Sequence, residues 1–325
     1  MVNWLERDTL IERLARPRGP FARVEVREST GSTNDDAEQL AEPYLLVVAA
    51  EQIAGRGRRA RAWSSPAGTS VSMSLVLPLG SGVSGEGGAA GGDGGLRDPG
   101  WIPLMVGLGV RDALSELIGE PADATGQRAK VVLKWPNDVL VIGARATSAP
   151  GAAGGGEAGD AGDAGVAGDT GDAGDVPAKI SGILCQLLAA DDLVVAGIGV
   201  NVTVPIEVLP VPVGTAAPAT SLHLCGAPRE ITREDVVTAV SLNVERRHAA
   251  WLAGGEAAAG LRREYREACV TVGSLIDVHL PGDEVRRARA TGISDEGELE
   301  IVDDAGRAST VRAGDVVHIR PRLGA

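Results

Sequence analysis

The sequence contains few cysteines and no long apolar run, and each shortage excludes a class of protein. Its three cysteines, Cys185, Cys225 and Cys269, are odd in number and widely spaced, so neither a disulfide framework nor a zinc site is indicated. Cys185 lies in an apolar run and is predicted to be a buried core thiol. No stretch reaches the roughly 18 apolar residues of a transmembrane helix, and the charged N-terminus lacks the apolar core of a signal peptide. We therefore expect a cytoplasmic protein without membrane contacts.

Basic residues are also scarce. The chain has 31 lysines and arginines against 44 aspartates and glutamates, a net charge of −13, which argues against a general nucleic-acid-binding protein. Six of these negative charges lie in residues 151–175, a glycine-rich stretch without a single base. We interpret residues 144–177 as a disordered insertion in a loop, and the glycine-rich residues 80–100 as a second one. The remainder of the chain is only mildly acidic.

Positive charge is concentrated in one short stretch. Residues 55–61 contain four arginines and two glycines and follow the apolar run 44–50. Arginine is a permanently charged, fork-shaped donor for phosphate and carboxylate, and glycine lets a backbone approach a ligand closely. This composition predicts a loop that closes on an anion. A solvated arginine loop is the alternative, whereas a dinucleotide-binding turn is disfavoured because Pro66 and Gly68 prevent the helix that it requires.

The motif KWPND, at residues 134–138, places polar residues at the end of an apolar strand. Lys134 can neutralise phosphate charge, Asp138 can bind magnesium or its waters, and Asn137 can orient a ligand. This set suits a nucleotide with magnesium. The plainer interpretation is an ordinary Pro-Asn-Asp turn.

Two later strands also carry polar residues at an end. KISGIL, at residues 179–184, opens with Lys179, and its Ser181 and Gly182 would allow a ligand to approach closely. GIGVN ends with Asn201, which could bond a substrate or close a turn. A strand-end lysine that stays solvated is the alternative for Lys179.

Apolar periodicity predicts an α+β protein in two domains, residues 1–269 and 270–325. Helical patterns cover residues 3–16, 33–41, 101–118, 233–252 and 256–268. Strand patterns cover residues 24–28, 45–50, 71–77, 131–135, 139–142, 179–188 and 193–201. Beyond residue 270, short alternating runs at 274–280, 286–293, 299–302, 309–311 and 316–319 predict a small β-barrel.

Together with Ser32-Thr33-Asn34, Gln52 and Trp63, these motifs resemble the biotin–protein ligase family, and they occur in the family's order. The resemblance covers roughly residues 24–325. It implies a mixed, largely antiparallel sheet backed by helices, as in class II synthetases, with a small C-terminal SH3-like β-barrel. It also implies that residues 1–269 form the catalytic domain that binds biotin and ATP. Because few residues precede the first strand, we expect the monofunctional type without an N-terminal DNA-binding domain.

Biotin–protein ligases use ATP and Mg²⁺ to convert biotin into biotinyl-5′-adenylate, and they then transfer the biotinyl group to a lysine of a biotin carboxyl carrier protein. The resemblance implies this ligase activity, with that carrier as partner. We expect no DNA binding, and a monomer or weak homodimer. Two alternatives remain: a lipoate or octanoate transferase, and a non-catalytic sensor of biotin or nucleotide that regulates transcription.

The resemblance also assigns roles to individual residues. Lys179 and Arg58 are expected to be catalytic, with Lys179 at the biotin carboxylate and the α-phosphate. The residues expected to bind biotin are Ser32, Thr33, Asn34, Gln52, Arg56, Gly57, Arg58, Trp63, Lys179 and Gly182. Those expected to bind the nucleotide are Arg58, Arg59, Lys134, Asn137, Asp138 and Asn201. No metal ligand is assigned directly, and Mg²⁺ is expected to accompany ATP near Asp138.

Overall fold

The computed structural model describes residues 5–58, 63, 67–80, 98–119, 129–147, 176–188, 190, 192–212, 217–280, 282, 284–313 and 318–321. The two predicted insertions, at 80–100 and 144–177, lie almost entirely outside these residues, and Arg59 lies outside them as well. The described residues form five helices and twelve strands. No helix among them combines the length and the apolar character needed to cross a membrane.

The elements predicted from periodicity are present, with ends shifted by a few residues. The helices are α1 (Arg7–Leu14), α2 (Thr33–Leu40), α3 (Ile102–Ile118), α4 (Arg233–Ala253) and α5 (Gly255–Ala268). The strands of the larger sheet are β1 (Arg23–Thr30), β2 (Leu45–Gln52), β3 (Ser70–Pro78), β4 (Lys130–Lys134), β5 (Asp138–Ile142), β6 (Ala178–Leu188) and β7 (Leu193–Asn201). Those of the smaller sheet are β8 (Leu275–His279), β9 (Val285–Ile293), β10 (Leu299–Asp303), β11 (Ala308–Val311) and β12 (His318–Pro321).

The larger sheet is mixed and largely antiparallel, as predicted. Its strands lie in the order β1-β2-β3-β7-β6-β5-β4, and only the β1–β2 pair is parallel. Side chains of β2 alternate between the faces: Leu46 and Val48 enter the main core with α1, α3, α4 and α5. Leu45 and Val47 instead pack with Ala37 of α2 on the opposite face. Helices therefore back the sheet as predicted, and α2 adds a short helix on the other side.

The start of α2 follows directly from its sequence. Ser32 is the N-cap, and its side chain accepts a hydrogen bond from the backbone N–H of Asp35 at 3.4 Å. Asp35 and Asp36 lie in the first turn, where negative charge is favoured by the helix dipole. The cap places Thr33 and Asn34, both buried, at the end of α2 that faces the sheet.

The smaller sheet is antiparallel, with strand order β11-β10-β9-β8-β12, and it docks on two tryptophans of the larger domain. Trp101 Nε1 donates to the carbonyl of Asp295 at 2.9 Å, and Trp135 Nε1 donates to the carbonyl of Gly297 at 3.1 Å. Gly297 has φ +79°, and a Cβ there would lie 2.7 Å from the carbonyl of Gly100, so only glycine fits this turn. The C-terminal sheet thereby supports the turn that contains Trp135. We propose that the boundary between the two domains lies at about residue 270, in the connection between α5 and β8.

His248 predicts how the stability of the fold depends on pH. It is buried in α4, where Nε2 donates to the carbonyl of Pro78 at 2.8 Å, and burial lowers its pKa more than this bond raises it. The folded protein therefore holds a neutral imidazole, whereas the unfolded chain binds a proton below an ordinary pKa of about 6.5. The contribution of His248 to stability is therefore full above that pH and is lost as the pH drops through it toward the lower pKa of the folded state.

Chemical denaturation at pH 7.5 and pH 5.5 tests this prediction. The variant His248→Gln, which cannot take up a proton, should lose less of its free energy of unfolding on acidification than the wild type. Equal losses in the two proteins would show that another group sets the acid sensitivity.

Candidate active site

A cavity of about 280 Å³ lies beside α2 and brings together nearly all the residues that the sequence singled out. Its wall contains Ser32, Thr33, Asn34, Gln52, Arg56, Gly57, Arg58, Trp63, Lys134, Asn137, Asp138, Lys179 and Gly182. Segments far apart in the chain therefore meet at one place on the sheet. Asn201 is not part of this wall, and Arg59 lies outside the described residues.

The floor of the cavity consists of small residues in register on neighbouring strands. Ser72 of β3 pairs with Gly199 of β7, which pairs in turn with Gly182 of β6. Two residues further along β3, Ser74 pairs with Gly197 of β7. Because side chains alternate between faces, these small residues leave space on one side while their neighbours build the core on the other. Of these residues, only Gly182 was predicted to admit a ligand; the alternating serines of β3 and glycines of β7 are the sequence signal for the others.

Trp63 lies on this floor. A Cβ at Gly199 would be 2.4 Å from its indole, and one at Gly182 would be 3.0 Å from it, so the ring occupies the space that the two glycines leave. The backbone N–H of Trp63 donates to the carbonyl of Gly55 at 2.8 Å, which closes the base of the arginine loop. Lys179 Nζ is 5.6 Å from the centre of the indole ring, within the range of a cation–π contact.

A β-bulge in β6 turns Lys179 toward the cavity. Consecutive residues of β5 pair with Ser181 and Lys179, so Ile180 is the extra residue on β6. Strict alternation would place Lys179 on the same face as Ser181, whose partner Val200 lies in the main core. The bulge instead places Lys179 in the cavity wall and leaves Ser181 fully buried. Of the two small residues predicted to admit a ligand, only Gly182 lines the cavity.

Asp138 lies between two lysines. Its Oδ1 is 2.5 Å from Lys179 Nζ, and its Oδ2 is 4.0 Å from Lys134 Nζ. One carboxylate between two ammonium groups leaves net positive charge, which favours an anionic ligand. The same geometry does not fit a metal ion held by the protein, because both carboxylate oxygens face cations. In the described part of the chain, no three histidine, cysteine, aspartate or glutamate residues form a metal-binding group.

The two described arginines of the loop are held by different parts of the protein. Arg56 forms an ion pair with Asp35 in the first turn of α2. Arg58 donates to the carbonyl of Ala313, beyond the end of β11. The loop therefore links α2 to the segment that follows β11, and both arginines line the cavity.

Two predicted asparagines are engaged in the fold. Asn137 Nδ2 donates to the carbonyl of Ile183 at 2.8 Å, while the N–H of Ile183 donates to the carbonyl of Asn137 at 3.0 Å. This double link ties the KWPND turn to β6. Asn201 is buried, and its Nδ2 donates to the carbonyl of Thr220 at 3.0 Å. The structure thus places Asn137 in the cavity wall and Asn201 at the end of β7, outside that wall.

None of the cysteines lines the cavity. All three are free thiols, and burial raises the pKa of Cys225 to about 12. Cys185 packs against the main core with part of the residue exposed, and burial raises the pKa of its thiol to about 12 as well. The cavity therefore offers no thiolate nucleophile.

The sequence places the chain in a known family. Residues 24–85 match the biotin/lipoate A/B protein ligase family. Over 97% of its length the chain is 30% identical to biotin–[acetyl-CoA-carboxylase] ligase of Mycobacterium tuberculosis, of which 96% is covered. This chain belongs to the biotin–protein ligase family.

Solved structures of biotin–protein ligases share its fold. The Aquifex aeolicus enzyme, solved with biotin and ATP, has a TM-score of 0.62 at 20% identity, covering 93% of this chain and 100% of that one. The Leishmania major enzyme, solved with biotinyl-5-AMP, has a TM-score of 0.51 at 21% identity, covering 90% of this chain and 99% of that one. The predictions of family, fold class and ligase class are confirmed.

Proposed function

We propose that this biotin–protein ligase converts biotin and ATP into biotinyl-5′-adenylate and pyrophosphate, and then transfers the biotinyl group to a lysine of a biotin carboxyl carrier protein. One observation carries the proposal. Polar side chains at α2 and β2 form a polar pocket on one side of the cavity, and Lys134 and Lys179 line the same cavity. The polar pocket suits the ureido head of biotin, and the lysines suit its carboxylate and the phosphates of ATP.

The first step brings two anions together. A carboxylate oxygen of biotin attacks the α-phosphorus of ATP, and the bond from that phosphorus to pyrophosphate breaks. The reactants repel each other, so fixed positive charge is needed to hold them in contact and to stabilise the charge that develops. Lys179, which the bulge turns into the cavity, supplies that charge. No nucleophilic side chain is required.

The second step transfers the biotinyl group. The amine of the carrier lysine attacks the acyl carbon, AMP leaves with the bonding electrons, and the new amide nitrogen loses a proton. The adenylate must be kept from water until the carrier arrives. We assign that task to the loop that contains Arg56, Gly57 and Arg58. Trp63, whose ring fills the space above Gly182 and Gly199, would leave that space when the ligand binds and close over it.

The head of biotin is assigned to Ser32, Thr33, Asn34 and Gln52, with Gly182 in the floor beneath the bound ligand. These residues surround the end of α2 and line the cavity. They offer hydroxyl and amide groups, which can donate to and accept from a ureido group. They carry no charge, which agrees with a neutral ligand head.

The nucleotide is assigned to the side of the cavity formed by Lys134, Asn137 and Asp138, together with Arg58 and Arg59 of the loop. We propose that Asn201, at the end of β7, serves the sugar or base region of the nucleotide, with its side chain oriented by the carbonyl of Thr220. Because Asp138 faces two lysines, Mg²⁺ is expected to enter bound to ATP, as part of the substrate, rather than to occupy a site built by the protein.

A transfer assay tests the proposed function. The purified chain, incubated with biotin, ATP, Mg²⁺ and an isolated biotin carboxyl carrier domain, should biotinylate the carrier and yield a streptavidin-reactive band. The band should be absent without ATP. Parallel reactions with lipoate and octanoate test the alternative, and transfer of these acids but not of biotin would overturn the proposal.

We further propose that the chain acts in the cytoplasm without binding DNA, as a monomer or weak homodimer. A net charge of −13 opposes contact with a phosphate backbone, because nucleic-acid affinity depends on neutralising phosphates. A DNA titration at low salt that detects no complex would support this view.

A further inference from the structure

A chain of hydrogen bonds between side chains runs from β6 to β2 along the edge of the polar pocket. Asn34 Nδ2 donates to Gln186 Oε1, and Ser74 Oγ shares its proton between Asn34 Oδ1 at 2.6 Å and Thr33 Oγ1 at 2.8 Å. Thr33 Oγ1 donates in turn to Gln52 Oε1 at 3.2 Å. Three members of the chain line the cavity, whereas Ser74 and Gln186 do not.

Two backbone groups fix the direction of this chain. The carbonyl of Leu184 can only accept, and it takes a hydrogen bond from Asn34 Nδ2 at 3.2 Å, so Asn34 Oδ1 must face Ser74. At the other end, the N–H of Thr33 can only donate, and it donates to Gln52 Oε1 at 2.9 Å. The oxygen of Gln52 is therefore engaged, and Nε2 is the group of its amide that remains for a ligand.

Both N–H groups of Asn34 are committed to the acceptors Leu184 and Gln186, and its oxygen accepts from Ser74, so one lone pair of Oδ1 is what remains for a ligand. It also fills the space above Gly197, where a Cβ would lie 2.0 Å from Asn34 Oδ1. Asn34 therefore acts as a rigid link between β6 and the pocket. Its second N–H group is held by Gln186, a partly buried residue of β6 that no sequence motif indicated.

We propose that Gln186 is a positioning residue for the biotin site. By accepting from Asn34 Nδ2, it adds to the hold of the Leu184 carbonyl on Asn34. Through Ser74 it also supports the Thr33 hydroxyl, which together with the backbone N–H of Thr33 engages Gln52 Oε1 and leaves Nε2 to donate to an acceptor on the ligand head. This role rests on the proposed function and extends it to a residue that does not touch the ligand.

The variant Gln186→Leu removes the acceptor but keeps a side chain of similar size. We expect the KM for biotin to rise about tenfold. The kcat and the KM for ATP should stay within about twofold of wild type, because these hydrogen bonds do not extend to the nucleotide side of the cavity. Gln186→Glu still accepts from Asn34 and should return the KM for biotin to within about threefold of wild type. Ser74→Ala, which breaks the same chain, should reproduce the split between the two KM values.

Ser70→Ala is the matched control. Ser70 is a buried serine on the same face of β3, and its Oγ has no hydrogen-bond partner among the described residues. Its removal should leave both KM values unchanged. Three results would overturn the positioning role. The KM for biotin could be unchanged in Gln186→Leu, or the KM values for biotin and ATP could rise by the same factor. Gln186→Glu could also fail to restore the KM for biotin. A wild-type protein that forms no biotinyl-adenylate would instead overturn the proposed function itself, and this role with it.

Discussion

Replacing Lys179 with alanine is expected to slow biotinyl-adenylate formation by about a hundredfold or more, while biotin binding weakens by less than about tenfold. Lys179 Nζ lies 2.5 Å from Asp138 and 5.6 Å from the centre of the Trp63 ring, at the charged side of the cavity. Its charge acts on the carboxylate and the phosphate as they react, whereas the polar pocket beside α2 holds the ligand head. Single-turnover adenylation, together with calorimetric titration of biotin without ATP, separates the two effects.

Lys130→Ala provides the control for this experiment. Lys130 is an exposed lysine at the opposite end of β4 from Lys134, outside the cavity wall, so its removal changes the net charge equally without altering the site. Adenylation by this variant should match wild type. If Lys179→Ala lost binding and adenylation by the same factor, the assignment of Lys179 to the reacting groups would be wrong.

The second large effect is expected from Gly197→Ala. A methyl group there would lie 2.0 Å from Asn34 Oδ1, so Asn34 must move away and lose its bonds to Ser74 and Leu184. Overpacking of this kind costs about 1–3 kcal/mol, and we expect biotin affinity to fall by about thirtyfold. Calorimetric titration of biotin measures the loss directly.

Gly107→Ala is the comparison for this variant. Gly107 lies in α3, where a Cβ would be 3.5 Å from Leu133, an ordinary van der Waals distance. Because alanine favours the helix over glycine by about 1 kcal/mol, Gly107→Ala should keep wild-type affinity and gain slightly in stability. If Gly197→Ala also bound biotin with wild-type affinity, the view that position 197 of the floor must lack a side chain would be refuted.

Local features of the fold could be predicted from the sequence because they depend on neighbouring residues. The N-cap of α2 is an example: Ser32 can accept from the backbone N–H of Asp35 three residues later, and the structure has the cap at Ser32. The strands of the larger sheet were readable from apolar runs for the same reason. Their order was not, because pairing depends on contacts between residues far apart in the chain.

The parts of the site that escaped prediction depend on register. The bulge at Ile180 decides which face Lys179 occupies, and it is a property of two paired strands rather than of KISGIL alone. The glycines at 197 and 199 matter because they align with Ser74 and Ser72, which neither strand shows by itself. The bond from Asn201 Nδ2 to the carbonyl of Thr220 likewise joins two segments, and GIGVN alone does not show it.

The central claim is that one cavity holds biotin and ATP so that they react with each other before any carrier is present. Mass spectrometry of the purified protein, incubated with biotin, ATP and Mg²⁺ without a carrier, tests it most directly. We expect biotinyl-5′-adenylate to form in about one equivalent per chain and to remain bound through gel filtration, with release of pyrophosphate. Unreacted biotin and ATP after incubation, in a protein that is folded, would contradict the claim.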